Sequence, residues 1–588
     1  MATTKRKKCA GQAQKQIVLE LPSYAGRRRT LLGLLAVSLV VLVARAVDQH
    51  VLETDFLQHE GERRHLRVVE MPAHRGMITD RNGEPVAIST PVDSIWANPK
   101  QLRPDRQTLA RLEKILGKNQ DELRRLLARY SDRGFVYLKR RTNPDVAEQV
   151  MKLAQERDLN GIGLQREYRR YYPDGEVFAH VIGFTDVDDH GQEGIELAYD
   201  EWLTGKPGAK RVLRDGRARI VKDIENIRAP SPGKTLELSL DRRLQYLAYR
   251  ELKGAVQQHK ARSGSAVILD VRTGEVLAMV NQPSYNPNGS RSGRGGVLRN
   301  RALTDVFEPG STMKPFAVSA AIELGQVTAA TPIDTTPGTL RVGRSLVKDV
   351  HNYGMLDVAG VIRKSSNVGV SKIALDLPQE ELWKAYSELG FGQTSAVSFP
   401  GESAGQLTSY RQWAEIDQAT LSFGYGISVT PLQLAQAYSV LAADGMLHSA
   451  SLLRQKETPE SKRVLSKATT DAMRLMLESV VSTEGTAPAA AVAGYRVAGK
   501  TGTVKKSIVG GYADKRYLAV FAGFAPASDP RLAMVVMLNE PSAGKFYGGQ
   551  VAAPVFSNIM AGALRLLNIA PDAIETPGVR LAGGMVQP

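Results

Sequence analysis

The chain of 588 residues has a single cysteine, Cys9, so no disulfide can form within it. The nine histidines are scattered. No Cys-His or His-Glu cluster has metal-ligand spacing, so neither metal nor cofactor is expected. A net charge of +16 would point to nucleic acid if it were spread over a surface interleaved with aromatics. It is not. Lys5, Arg6, Lys7, Lys8, Lys15, Arg27, Arg28 and Arg29 crowd the N-terminus against the single Glu20, and only a mild excess covers the rest. No internal repeat is present, and nucleic-acid binding is excluded as a leading reading.

What the chain does have is size and one apolar run. Its length exceeds one core and predicts two or more domains, and 43% hydrophobic with 23% charged residues is ordinary for a globular protein. Leu31 to Ala44 is apolar apart from Gly33 and Ser38, and is followed by Arg45. Extended by Thr30, Ala46 and Val47, with Arg45 snorkelling, the run is adequate to span a bilayer. The basic residues before it predict a cytoplasmic N-terminus and export of the remainder. The alternative is a cleaved signal peptide, since Ala44-Arg45-Ala46 is a permissible cleavage pattern. The body is exported in both cases.

The pattern further along predicts a mixed α+β fold. Ala46 to Leu66 reads as a polar helical stalk, and Asn82-Gly83 as a tight turn in a hairpin. Residues 101–158 carry helical periodicity, and Gly191-Gln192-Glu193-Gly194-Ile195-Glu196 opens a helix ending near Gly205. Residues 211–230 read as a basic hairpin arm. Pro230-Ser231-Pro232-Gly233 marks a boundary. Beyond it come a strand from Thr235, a helix over Arg242 to Gln258, and strand pairs at 265–280 and 518–538. Strands at both ends with helices between predict one sheet closed by distant parts of the chain. The expected partition is a basic tail over 1–29, an anchor over 30–47, a pedestal over 48–234, a catalytic domain over 235–570 and a loose tail over 571–588.

Three short motifs carry the chemistry: Ser311-Thr312-Met313-Lys314, Ser365-Ser366-Asn367 and Lys500-Thr501-Gly502-Thr503. In this order they form the Ser-x-x-Lys, Ser-x-Asn, Lys-Thr-Gly set of serine acyl-transferring enzymes. Ser-x-x-Lys also occurs at Ser345/Lys348 and Ser542/Lys545, but only Ser311 opens a helical run, with Pro315 tolerated in its first turn. There the Lys314 amine can reach the Ser311 hydroxyl, and helix N-terminal amides lie near a developing oxyanion. Lys500-Thr501-Gly502-Thr503 reads as a strand with small side chains, against which a substrate can lie, and a cation for a carboxylate. A rival Gly401-Glu402-Ser403-Ala404-Gly405 matches a nucleophile elbow. It lacks a following helix, and His448 is the only histidine after it, so Ser403 is read as a loop residue.

These motifs, with Arg75-Gly76-x-Ile78-x-Asp80-Arg81-Asn82-Gly83, Gly191-x-x-Gly194-x-Glu196, Phe307-Glu308-Pro309-Gly310, Thr430-Pro431-Leu432-Gln433 and Phe546-Tyr547-Gly548-Gly549, resemble class B penicillin-binding proteins. Within them the chain is most similar to the division-specific D,D-transpeptidases of Gram-negative bacteria. The resemblance implies an N-terminal transmembrane helix, an α+β pedestal and a serine β-lactamase-like transpeptidase domain. It implies that Ser311 is the nucleophile, Lys314 its base, Ser365 a proton relay and Asn367 a substrate ligand. Lys500, Thr501 and Thr503, on a strand with Gly502, would bind the substrate carboxylate. The backbone amides of Ser311 and Thr503 would form an oxyanion hole. Implied partners are peptidoglycan stem peptides, β-lactams, a septal glycan polymerase and other division proteins, at the inner membrane with the catalytic domain periplasmic. A D,D-carboxypeptidase, a β-lactamase or a membrane-tethered β-lactam sensor are the alternatives.

Overall fold

The computed structural model describes residues 25–56, 66–214, 220–289, 295–395, 397–457, 460–508 and 511–573. Cys9, the basic residues before Arg27, much of the expected stalk and all but the start of the expected C-terminal tail lie outside these residues. The described chain divides into two units, the first comprising residues 1–70 and 209–229 and the second 71–208 and 230–588.

In the first unit, helix α1 (Ala25–Val47) is continued by a π turn over Asp48–Leu52. Its side chains are exposed along its length, Leu34 and Leu42 among them. Among the described residues it is the one helix long and apolar enough to cross a membrane. Residues Ala25 to Arg29, ahead of the expected anchor, are already helical, in keeping with arginine as a good helix former. The expected basic arm is a hairpin: Gly208–Arg214 pairs antiparallel with Ile220–Arg228, and Leu66–Met71 flanks it.

The second unit starts with β1 (Ile78–Thr79) and β2 (Pro85–Ala97), joined by the Asn82-Gly83 turn. Gly83 takes φ +88°, which the turn requires and glycine adopts freely. Next come α2 (Arg106–Leu116), α3 (Gln120–Arg129), β3 (Val136–Thr142), α4 (Pro144–Glu156) and β4 (Ile162–Tyr171). The uniformly helical reading of 101–158 is therefore corrected by β3. This strand pairs with β2, which also pairs with β4 along its length. Leu112, Leu116, Leu123, Leu138 and Val150 form a small separate core between the helices and the sheet. The helix expected from Gly191 is broken too. Gly191–Glu193 is a strand, and two short helices, Gly194–Ala198 and Asp200–Leu203, follow.

A buried ion network explains two motifs at once. Arg75 Nε and Arg170 Nε each donate to Glu196 at 2.6 Å, and Arg75 Nη1 donates to Asp200 at 2.7 Å. All three members of the Arg-Glu-Arg set are buried. A pair this deep is better held the more of its remaining polar atoms are met. Arg75 complies by donating also to the Glu196 and Asp189 carbonyls.

The larger core belongs to a five-stranded sheet. Helix α5 (Arg242–Gln258) leads into β5 (Ser263–Asp270) and β6 (Val276–Gln282). After a long helical insertion containing α6 (Lys314–Glu323), α7 (Val358–Lys364), α8 (Asn367–Leu375) and α9 (Pro431–Ala442), the chain returns with three more strands. These are β7 (Ala498–Ile508), β8 (Gly511–Ala525) and β9 (Leu532–Asn539), followed by α10 (Gly548–Leu566). The sheet order is β6-β5-β9-β8-β7, so β5 pairs with β9 across the whole insertion. Every residue of β5 and β6 is buried, which requires cover on both faces. Helices α5 and α10 pack together on the sheet, and α9 packs on β5, β8 and β9.

Candidate active site

The segment before α6 is a 3₁₀ turn, Gly310–Met313, which carries Ser311. In 3₁₀ geometry residues three apart eclipse, so Ser311 and Lys314 lie on one side. Several contacts fix the turn. Gly310 N donates to the Gly424 carbonyl at 3.1 Å, Thr312 Oγ1 to the Pro309 carbonyl at 2.7 Å, and Tyr438 Oη from α9 to the Thr312 carbonyl at 2.9 Å. Gly310 cannot be replaced at no cost. Its φ is +59°, and a Cβ there would lie 2.3 Å from Val504. The turn is thus pressed against β7.

That strand is the edge of the sheet, so half of its backbone groups lie outside the ladder. Gly502 faces the 3₁₀ turn so closely that a Cβ would come 2.8 Å from the Pro309 carbonyl. Thr503 Oγ1 accepts from Gly548 N at 2.9 Å, and the Thr501 and Thr486 hydroxyls are 2.9 Å apart. Lys500 is fully buried in the same strand.

Ser365 ends α7 in the left-handed region, at φ +63° and ψ +40°. A non-glycine residue there is strained. The conformation turns both its carbonyl and its hydroxyl toward the lysines. Lys314 Nζ donates to Ser365 O at 2.5 Å and to Ser365 Oγ at 3.1 Å, and Lys500 Nζ donates to the same hydroxyl at 2.9 Å. The direct Lys314–Ser311 contact that the spacing predicts is not among the hydrogen bonds of the described residues.

Both lysines are driven toward their neutral forms. Burial lowers Lys500 to about 7. Burial also holds Lys314 well below the ordinary lysine range, and the Lys500 charge pushes it the same way while Asp349 opposes. An amine so placed can accept a proton near neutral pH, as a general base must.

Ser366 caps α8: its hydroxyl accepts from Gly369 N at 2.8 Å and donates to Asp349. Asn367 Nδ2 donates to the Lys348 carbonyl at 3.0 Å. The eight residues singled out in the sequence thus lie on the 3₁₀ turn and the first residue of α6, the α7–α8 junction and the edge strand, and contacts join these elements. Ser403, by contrast, sits in a loop, its Oγ accepting from Gly405 N at 3.2 Å. Ser345 to Lys348 is a hairpin strand. Two carboxylates have partners that the sequence did not show, Asp349 and Glu308, the latter seen only as a motif letter. Asp349 accepts from the Ser366 hydroxyl and from the amides of Asn367 and Val368. Glu308 accepts from Gly426 N at 3.0 Å and from Tyr512 Oη at 3.2 Å, and burial raises its carboxyl pKa. Asp349, a lone carboxylate in a polar segment, carries no local signal.

Comparison with known proteins gives the same picture. Residues 70–238 match the penicillin-binding protein dimerisation domain, and residues 264–561 match the penicillin-binding protein transpeptidase domain. Peptidoglycan D,D-transpeptidase FtsI of Escherichia coli K12 is 44% identical over 93% of this chain and 92% of its own. The probable peptidoglycan D,D-transpeptidase PenA of Neisseria meningitidis serogroup A is 42% identical over 94% and 96%. Among solved structures, the apo transpeptidase domain of Burkholderia pseudomallei penicillin-binding protein 3 is 45% identical. It covers 57% of this chain and 98% of its own, with a TM-score of 0.54. A peptidoglycan synthetase from Bifidobacterium adolescentis, 25% identical, covers 87% and 98% with a TM-score of 0.69. With a dimerisation and a transpeptidase domain in one chain, a strained serine between two buried lysines, and relatives of this identity along nearly its full length, the chain belongs to the penicillin-binding protein transpeptidase family.

Proposed function

We propose that the protein is a peptidoglycan D,D-transpeptidase that cross-links stem peptides of septal wall through a serine acyl-enzyme. The observation that carries this reading is the pair of buried lysines sharing the Ser365 hydroxyl, one of them three residues after Ser311. Neutral Lys314 takes the Ser311 proton as Ser311 Oγ attacks the penultimate D-Ala carbonyl of a stem pentapeptide. The negative charge that builds on the carbonyl oxygen is met by the amides of Ser311 and Thr503. Ser365, hydrogen-bonded to Lys314, hands a proton to the leaving amine, and D-Ala departs. Lys500, Thr501 and Thr503 hold its carboxylate, with Gly502 letting the substrate backbone lie along the strand edge, and Asn367 orients the stem amide. The amine of a second stem then attacks the ester and regenerates Ser311. A β-lactam enters the same path and remains as the acyl-enzyme.

The partition into tail 1–29, anchor 30–47, pedestal 48–234, transpeptidase domain 235–570 and terminal tail 571–588 belongs to this reading. So do a cytoplasmic N-terminus, a periplasmic catalytic domain and partnership with a septal glycan polymerase and other division proteins. Support comes from the basic residues before α1 and from the apolar helix itself.

Mass spectrometry after incubation with a β-lactam tests the core of it. A stable adduct on Ser311, lost in Ser311→Ala, is expected. Intact drug with no adduct refutes the serine assignment, and hydrolysed drug with no adduct identifies a β-lactamase.

A further inference from the structure

The segment Pro230-Ser231-Pro232-Gly233, which the sequence marks as a boundary, is not a loose linker. It runs beside the chain that leaves the short helix Asp200–Leu203. Lys206 and Ser231 exchange backbone hydrogen bonds at 2.8 and 2.9 Å, and Gly233 N donates to the His74 carbonyl at 3.0 Å. A Cβ on Gly233 would lie 1.7 Å from the Leu203 carbonyl, so the two segments meet backbone to backbone. Lys234 N completes the joint by donating to the Trp202 carbonyl at 3.1 Å. Both segments line a cavity of about 900 Å³ that shares no lining residue with the active site. Small-molecule sites run to about 1,000 Å³, so there is room for more than one ring.

The lining is built before any ligand arrives. Trp202 is 47% exposed, yet its ring is fixed: Nε1 donates to the Thr235 carbonyl at 3.2 Å, and the Lys234 ammonium sits 4.4 Å from the ring centroid. Asp200 and Thr204 are already taken by Arg75, at 2.7 and 2.9 Å. The Tyr199 hydroxyl, the Glu201 carboxylate and the Lys206 amine are not; none has a hydrogen bond or ion pair among the described residues. Burial raises the Tyr199 phenol pKa, so its hydroxyl keeps its proton and can both donate and accept.

These groups select a class of ligand. With Asp200 held by Arg75 and Lys234 on the indole, the remaining charges, Glu201 and Lys206, cancel, which favours neither a phosphate nor a polycation. One exposed indole is too little apolar surface for a lipid tail or an amphipathic helix. A sugar meets both requirements. The C–H groups of its ring face carry positive partial charge and lie well on the negative face of an indole. Its hydroxyls are donors and acceptors at once, matching Tyr199, Glu201 and Lys206.

We propose that this cavity binds a neutral saccharide, the glycan strand of the wall polymer, at a site separate from the acyl-transfer centre. The saccharide chemistry stands on the cavity alone, and the identification with the wall strand rests on the function proposed above. Stem peptides are borne on that strand, so holding it raises the local concentration of stems around the enzyme.

The test is calorimetric titration of the full chain, in a detergent without a sugar headgroup, with the β-1,4-linked tetramer of N-acetylglucosamine. Saturable binding is expected, and it should be unchanged once Ser311 carries a β-lactam. Trp202→Ala should weaken it about tenfold, with Trp202→Phe recovering part of the loss. Glu201→Gln, a change at an exposed side chain that leaves the fold intact, should weaken it about fivefold. Maltotetraose, whose α-linked chain is curved and presents no flat run of ring faces, should bind more weakly. The absence of saturable binding overturns the proposal, as does wild-type affinity in both Trp202→Phe and Glu201→Gln. Loss of binding on acylation overturns it too, by placing the sugar in the catalytic cleft, and equal binding of maltotetraose overturns the assignment to the wall strand. A chain that binds the sugar but forms no β-lactam adduct would sink the transpeptidase reading and leave the saccharide site standing.

Discussion

Lys314 and Lys500 direct their amines at one oxygen, the hydroxyl of Ser365, at 3.1 and 2.9 Å. Two ammonium groups so close and so deeply buried cannot both stay charged near neutral pH without large cost. Ser365 can accept from one and donate to the other only if at least one is neutral.

The acylation rate is therefore expected to rise with pH along a limb far below that of an ordinary lysine, since Lys314 is held well below 10.5. A plateau should be reached before the pH at which an unperturbed lysine begins to lose its proton. Stopped-flow acylation with a chromogenic cephalosporin would show it. A limb still climbing through pH 10 would contradict Lys314 as the base.

Lys500→Met should be inactive and yet more stable at neutral pH. The folded chain sheds this proton at about 7, against 10.5 for a free lysine. The unfolded chain thus binds a proton that the folded one lacks between those values. The group costs stability below about pH 7, and the cost fades as pH rises through that window. A gain of about 2 kcal/mol near pH 7, disappearing toward pH 10, is expected from denaturation curves. A gain independent of pH would point to packing alone.

Ser365→Gly and Ser365→Ala separate strain from chemistry. Both remove the shared hydroxyl and should lower acylation at least about a hundredfold. Only glycine relieves the φ of +63°, so it should be the more stable of the two by about 1 kcal/mol. Equal melting points would mean that the left-handed residue is not strained.

Gly502→Ala adds a methyl group 2.8 Å from the Pro309 carbonyl and 3.1 Å from Thr312 Cγ2. Neither neighbour can yield freely, because the turn is tied to Gly424 and Tyr438. A loss of about 1–3 kcal/mol is expected, together with slower acylation as β7 moves away from Ser311. Normal kinetics would show that the strand and turn tolerate separation.

Glu196→Ala strands the Arg75 and Arg170 guanidiniums in a buried site. About 3–5 kcal/mol of destabilisation is expected, read by thermal melting or protease resistance of the segment around 75–200. A change below about 1 kcal/mol would mean that water reaches the site.

The sequence pattern reached the sheet because β5, β6, β8 and β9 are long apolar runs bounded by turn residues. It singled out Ser311, Ser365 and Lys500 because three short motifs stand in a fixed order, and contacts join the elements that carry them. It failed at β3, Val136–Thr142, where Lys139, Arg140 and Arg141 break the alternation and only Leu138 and Thr142 are buried. There the partner strand β2 decides, overriding local preference. It failed again at Asp349, whose three donors are brought by another element. Arg75 and Glu196 were visible as motif letters, but their pairing across 121 residues was not.

The pairing of β5 with β9 also sets an order of events during synthesis. The chain emerges from its N-terminus, so the Ser311 turn exists long before Lys500 and the edge strand do. A half-made molecule holds the serine but neither the second lysine nor the strand against which Gly310 packs. Its hydroxyl is thus an ordinary alcohol until the last three strands arrive and close the sheet. On the function proposed above, reactivity is switched on by completion of the fold, and the serine cannot be spent before the chain is whole.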